Sequence, residues 1–400
     1  MRKIVNGILA VALVAVMLVI GGLTLAGNAR SLGYALLVTY TQYLEPDSGF
    51  FGNVQARIQS VTNAINASLL GKDWFRRANA AFQLALGKEV LSFGGTTMVR
   101  LSTGQLYDVQ PDYDISSNLD TILRLKDKLD EKGIPMVYAY AHSELYEDGL
   151  LPEGVEDYNN KVADDIVSGL RQAGIPTIDS RQVYRDHGLT LDQAVYRTDQ
   201  HWSILTAFTV FGETLKALND TGALALDPSL GDLDNYRMEI VPRAHMGDVG
   251  ARLGEGLVEP DDFQLITPLF PTQITQRISR PTSEGGGFDQ RSGSFQEAAM
   301  YMEKMEGEGA ANRYDTYGLH RELTYFTNED APEGRLLILK DSFGTPVSTF
   351  YSLAVREVCA LDLRKGRITA EEMVEEFQPD AVLVVYCQEM MREKNYVLVD

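Results

Sequence analysis

The sequence predicts an α/β protein, with a parallel sheet covered by helices on both faces and an apolar helix ahead of it at the N terminus. Three observations lead there. Apolar runs alternate with helix-patterned segments over residues 116–218 and again over 336–386. Two of those runs, 134–141 and 381–386, are apolar nearly throughout, as strands buried on both faces are. Residues 4–27 carry no charge at all.

The uncharged run comes first. Its 24 residues (27 − 4 + 1) are broken only by Asn6, and at 1.5 Å each a helix of that length spans about 36 Å, enough for a hydrocarbon core of about 30 Å. Arg2 and Lys3 flank it on the N-terminal side, so the positive-inside rule places Met1 in the cytoplasm and the chain beyond residue 28 outside. A retained anchor is the reading its length favours, while Ala26-Gly27-Asn28-Ala29 offers the small residues of a signal-peptidase site. Either way the bulk of the chain is exported.

Residues 28–87 read as an amphipathic helical stalk. Residues 90–100 read as a hairpin turning at Gly94-Gly95. Leu119, Ile122, Leu123 and Leu129 share one helical face, which Gly133 ends, ahead of the strand at 134–141. A helix over 156–173 stops at Gly174, and Ile175–Asp179 is a short strand. Ser203 caps a helix running to Leu218, with Phe208, Phe211 and Leu215 inward. Toward the C terminus, Leu336–Leu339 and Val358–Leu361 are strands, Thr369–Phe377 a helix, and Ala381–Tyr386 a strand. Between the two alternating parts, residues 222–333 show little periodicity and read as an insertion or active-site surround.

Composition narrows the function. Thirty-six Lys and Arg against 56 Asp and Glu leave a formal charge of −20. Nucleic-acid binding is therefore excluded, because it needs clustered cations to displace counterions. The two cysteines, Cys359 and Cys387, cannot make a disulfide framework. They read as buried thiols, with one bridge between neighbouring strands as the alternative. None of the five histidines pairs at metal-ligand spacing, so no metal or cofactor is expected.

One histidine has chemistry-bearing neighbours. Asp199 stands two residues before His201, and in extended chain the two side chains point the same way. A carboxylate there fixes the imidazole tautomer and stabilises the imidazolium. Such spacing also arises by chance. Ser342 directly follows an apolar strand and precedes a helix pattern, with Gly344 permitting close backbone approach. That turn exposes a hydroxyl beside helix N-terminal N–H groups; helix capping by Asp341 or Ser342 is the plainer alternative.

Thr198-Asp-Gln-His-Trp-Ser203 together with Leu337-Ile-Leu-Lys-Asp-Ser-Phe343 resembles the DHHW family and the related alginate O-acetyltransferases, SGNH-hydrolase-like proteins in a permuted arrangement. The likeness runs over about residues 85–390. It takes in the hairpin at Lys88–Tyr107 (without the family's Trp), Leu150-Leu-Pro152, Tyr314–Gly318, Leu361-Asp-Leu-Arg364 and Pro379–Tyr386. Where related enzymes carry Pro-x-Lys, this chain has Ala141-His-Ser-Glu144.

The resemblance implies Ser342 as nucleophile, His201 as general base, Asp199 as its orienting carboxylate, and a structural Asp341. It offers Asn328 and Gly95 as oxyanion donors, and Trp202 and Arg197 as substrate-binding residues; core packing and a carboxylate partner are the competing roles of the last two. His142 and His245 read as structural. The implied activity is extracytoplasmic O-acetylation of a cell-envelope or exported polysaccharide through an acetyl-serine, with a polytopic membrane acyltransferase as donor. The alternatives are a carbohydrate acetyl esterase with the same triad, a non-catalytic glycan-binding assembly protein, and D-alanyl transfer to teichoic acid.

Overall fold

A computed structural model of the chain describes residues 72–391 apart from 94–95, 143–148, 254–256, 282–284, 308 and 366–367, with residues 19, 21–23, 26 and 398 in addition. The contacts divide it into two compact units, Met1–Leu86 and Gly87–Asp400. In the first unit, α1 (Lys72–Ala85) is an amphipathic helix. No helix among the described residues is long and apolar enough to cross a membrane. The expected anchor at 4–27, the stalk before residue 72 and the Gly94-Gly95 turn lie outside the described residues, a few isolated positions excepted.

The second unit opens with an antiparallel sheet of β1 (Val90–Phe93), β2 (Thr96–Arg100) and β3 (Leu106–Asp108). Next come α2 (Ser116–Glu131), β4 (Met136–Ala141), α3 (Asn159–Gln172), β5 (Thr177–Asp179), α4 (Ser180–Asp186), α5 (Leu191–Ala194) and α6 (Ile204–Asp220). Ser203 caps α6 by accepting the Thr206 N–H at 3.1 Å. β6 (Tyr236–His245), α7 (Asp248–Leu253), β7 (Asp261–Pro268), β8 (Ile274–Ser279), β9 (Phe288–Gly293) and β10 (Leu323–Thr327) follow. The chain closes with β11 (Arg335–Lys340), α8 (Gly344–Tyr351), β12 (Glu357–Leu361), α9 (Ala370–Phe377) and β13 (Ala381–Cys387). Thr369 and Glu372 form a capping box on α9.

The main sheet has the order β5-β4-β13-β11-β12-β10-β8-β9. Its first five strands are parallel; the last three continue it antiparallel. β4 and β13 are buried at every position, because α4, α6 and α8 pack as one group and α2 with α3 as another. The parallel part is a doubly wound sheet whose central strand is β13, with β11 beside it, both entered late in the chain. Such sheets place sites where the winding reverses, beyond the strands' carboxyl ends; here that point lies between β11 and β13.

The stretch 222–333 is more regular than its sequence indicates. It contains five strands, and β8–β10 belong to the main sheet. β6 and β9 are largely solvent-facing, with mostly exposed side chains, so neither carries the apolar run by which a buried strand is read. Cys359 and Cys387 are free and buried. They sit on the two strands flanking β11, and Cys359 is level with Val382, five residues short of Cys387; two strand spacings and five residues of rise put them about 19 Å apart, out of reach of each other.

Candidate active site

The site is built from two loops that meet above β11. The first runs from Val195 to Trp202, which pair with each other as an isolated antiparallel bridge; Ser203 N–H closes it onto Ala194 O at 2.8 Å. Asp261, at the start of β7, holds this loop from outside. Its carboxylate accepts Arg197 N–H and Thr198 N–H, each at 2.9 Å, and Thr198 Oγ1–H at 2.6 Å. Gly250 N–H bonds Thr198 O at 2.7 Å and Gly247 N–H bonds Thr198 Oγ1 at 3.1 Å. Gly247 has to be glycine here: a Cβ would lie 2.2 Å from Asp199 Cβ.

The second loop is the turn after β11. Asp341 organises it, accepting Phe343 N–H at 2.8 Å on one oxygen and Cys387 N–H at 2.7 Å on the other. The nucleophile turn is thereby tied to the end of β13, across the switch point. Gly344 lets α8 start against the sheet, since a Cβ would lie 2.6 Å from Lys340 Cβ and 3.0 Å from Val385 Cβ. The close approach foreseen for Gly344 is thus to the sheet.

Across the gap, Asp199 Oδ1 lies 2.9 Å from His201 Nδ1, and His201 Nε2 lies 2.7 Å from Ser342 Oγ. Asp199 is fully buried, while His201 and Ser342 retain 5% and 8% exposure, which puts a thread of solvent access at the serine end. The carboxylate accepts only, so Nδ1 carries the proton and Nε2 is left to accept from the hydroxyl. Burial by itself depresses the imidazole pKa, but the charge and hydrogen bond of Asp199 outweigh it and the net shift is upward. Burial likewise pushes the Asp199 carboxyl up; the charge of His201 and hydrogen bonds from His201 and His245 override it, leaving the carboxyl far below the usual range. Tyr314 stacks on the His201 ring at 4.3 Å, and Phe343 flanks it at 4.8 Å.

The remaining sequence-derived residues fall elsewhere. Trp202 is fully buried, edge-on to Phe343 at 5.5 Å; it packs within the core, the competing role its sequence position allows. Arg197 pairs with Asp261 at 3.1 Å and is half-buried. It borders a cleft of about 560 Å³, shared with Gln105, Gln193, Met238 and Gln264, that contains none of the three triad-like side chains. The role of Asn328 is corrected. It follows β10, whose last residue pairs with Glu357 at the amino end of β12 and level with the start of β11. Six residues of β11 (about 20 Å) therefore separate it from Ser342, and its amide donates to Ser352 O at 3.0 Å. Gly95 lies outside the described residues. His142 is buried in hydrogen bonds to Tyr140 and Asn159.

Sequence reading undervalued His245, Tyr314, Asp261 and Gly247. Each reaches the site only through tertiary contacts from 46 or more positions away, or across the β6–β7 ribbon. No spacing rule finds them; Gly247 and Gly250, in the run Gly-Asp-Val-Gly, are the one local signal.

Residues 102–297 match the SGNH hydrolase-like domain of the acetyltransferase AlgX. That span holds Asp199 and His201 and stops short of Ser342. No curated protein matches the sequence significantly. Among solved structures, Bacillus cereus PatB1 carrying a sulfonyl adduct superposes with a TM-score of 0.62 at 15% identity, over 77% of this chain and 100% of that one. A DHHW family protein from Eubacterium siraeum superposes with 0.58 at 17% identity, over 78% and 99%. At such identities the superpositions speak for the shared fold alone, and the match over 102–297 likens that stretch of the chain to the SGNH hydrolase-like domain of the acetyltransferase AlgX.

Proposed function

We propose that the chain is a serine-dependent O-acetyltransferase that modifies a polysaccharide outside the cytoplasm. The observation that carries this is the continuous relay Asp199–His201–Ser342, with His201 Nε2 2.7 Å from the hydroxyl oxygen. In the first half-reaction Ser342 Oγ attacks the acetyl carbonyl while its proton passes to His201 Nε2. The tetrahedral adduct collapses, and the donor's leaving oxygen departs with that proton. In the second, a sugar hydroxyl gives its proton to His201 and attacks the acetyl-serine, and Ser342 leaves as a hydroxyl. Asp199 stabilises the imidazolium in both.

The turn itself offers oxyanion donors. Phe343 N–H is engaged by Asp341 and Thr345 N–H by Ser342 O, which leaves the N–H groups of Ser342 and Gly344 as candidates. The chemistry calls on no metal or cofactor. Anchoring through residues 4–27, an extracytoplasmic location and an acetyl donor that is a polytopic membrane acyltransferase complete the proposal; their support is the charge pattern of the N terminus and the family.

The test is turnover of an activated acetyl ester by purified protein, with and without oligosaccharide. Ser342→Ala is expected to lower acetyl transfer by about 10³-fold or more, with unchanged thermal unfolding and no acetyl adduct on the Ser342 peptide. Full activity in that variant sinks the proposal. Acetate release indifferent to added sugar converts the reading to an esterase.

A further inference from the structure

We propose that His245 is a positioning residue, a neutral Nε2–H donor that holds the second oxygen of Asp199 and so sets how strongly Asp199 acts on His201. The inference rests on the triad reading above. His245 Nε2 lies 2.9 Å from Asp199 Oδ2, and both side chains are fully buried. The other ring nitrogen settles the protonation. Arg313 backbone N–H donates to His245 Nδ1 at 3.1 Å, so Nδ1 is a bare acceptor and the single ring proton sits on Nε2, aimed at the carboxylate.

Asp199 thus stands between two imidazoles with different duties. His201 can exchange its proton with Ser342; His245, sealed from solvent, cannot. Being neutral, His245 leaves the carboxylate's charge intact for the imidazolium, while its hydrogen bond spreads part of that charge onto Oδ2 and prevents rotation.

The backbone is shaped for this contact. β6 pairs regularly with β7 as far as Val241, then slips register so that His245 faces Asp261. Within the slip, Arg243 takes φ +51°, a left-handed conformation costing a non-glycine residue about 1–2 kcal/mol. Bulges beside sites re-aim side chains, and this one delivers His245 to Asp199. The ring is then clamped by Tyr196 at 4.4 Å and Phe263 at 5.7 Å. The charged and titratable groups around the pair include Asp199, His201, Tyr196 and Tyr314, Asp261 opposite His245 across the ribbon, and Arg313, whose guanidinium donates to Ala244 O, with Asp341 and Asp248 acting on His201 by charge.

Two substitutions separate orientation from packing. In His245→Gln the amide nitrogen reaches about as far as Nε2 and keeps the donor to Asp199. In His245→Asn the amide oxygen replaces Nδ1 for Arg313 but nothing reaches Asp199. With the donor gone the carboxylate is more basic and holds a proton on His201 more tightly. The Asn variant is therefore expected to lose about 10–100-fold in kcat, with KM little changed and the ascending limb of kcat/KM moved to higher pH. The Gln variant should stay within about threefold of wild type, with the limb unmoved. A folded Asn variant with wild-type rate and limb overturns the proposal, as does loss in both variants without a shifted limb. If the Asn variant does not fold, nitrogen NMR of the wild-type protein decides: His245 must remain the Nε2–H tautomer across the working pH range, and an Nδ1–H or titrating ring refutes the assignment. Ser342→Ala measured alongside distinguishes the cases, because activity surviving there removes the triad reading itself.

Discussion

Asp199→Asn is the most informative single change, because the surroundings dictate how the new carboxamide must lie. His245 can only donate from Nε2, since its Nδ1 already accepts Arg313 N–H. The amide oxygen must therefore turn toward His245, which presents the amide N–H₂ to His201 Nδ1. That donor forces the ring proton onto Nε2, the atom 2.7 Å from Ser342 Oγ, where it can no longer accept the hydroxyl proton. The charge is lost as well. With charge centres about 4 Å apart and an effective dielectric of about 20, the carboxylate contributes ~4 kcal/mol to the imidazolium. At ~1.4 kcal/mol per decade that is about 10³ in rate. The tautomer penalty adds to it, so kcat should fall by about 10³–10⁴-fold with little change in KM. The burst and steady-state rates of acetyl-ester turnover, alongside thermal unfolding, measure both quantities. A folded Asp199→Asn protein within about tenfold of wild type would refute the relay, and with it the reasoning that Asp199 tunes His201.

Two further outcomes follow from the same geometry. Gly247→Ala places a methyl 2.2 Å from Asp199 Cβ and 2.5 Å from its Cγ; a displacement of the carboxylate by about 1 Å should cost on the order of 10²-fold in kcat, and wild-type kinetics would contradict the close approach. Because Asp199 raises the His201 pKa despite burial, kcat/KM should climb with pH through an apparent pKa above the ordinary imidazole value of about 6.5. The base is competent only once deprotonated, so activity is lost on the acid side; a limb centred below 6 in wild type would reverse the assigned direction.

The sequence by itself determined the alternating part of the fold and the local half of the site. Strands β4, β11, β12 and β13 and helices α2, α3, α6 and α9 are legible because each is continuous, buried and bounded by local signals such as the Ser203 and Thr369 caps. Asp199 and His201 are legible for the same reason: their contact is set two residues apart along the chain. Ser342 could be placed on its turn, though not beside His201, since their 2.7 Å contact spans 141 residues.

Tertiary structure alone decided the rest. The order of parallel strands brings the end of β11 beneath the Val195–Trp202 loop, and Asp341 locks the turn to β13. It also moved Asn328 to the far end of the sheet and Trp202 into the core. Above all it supplied His245, carried to Asp199 by a bulge in a strand whose exposed residues show little pattern. Local propensity encodes hydrogen bonds within a turn of helix or a capped loop; a carboxylate shared by two imidazoles 44 positions apart (245 − 201) exists only once the chain has folded around it.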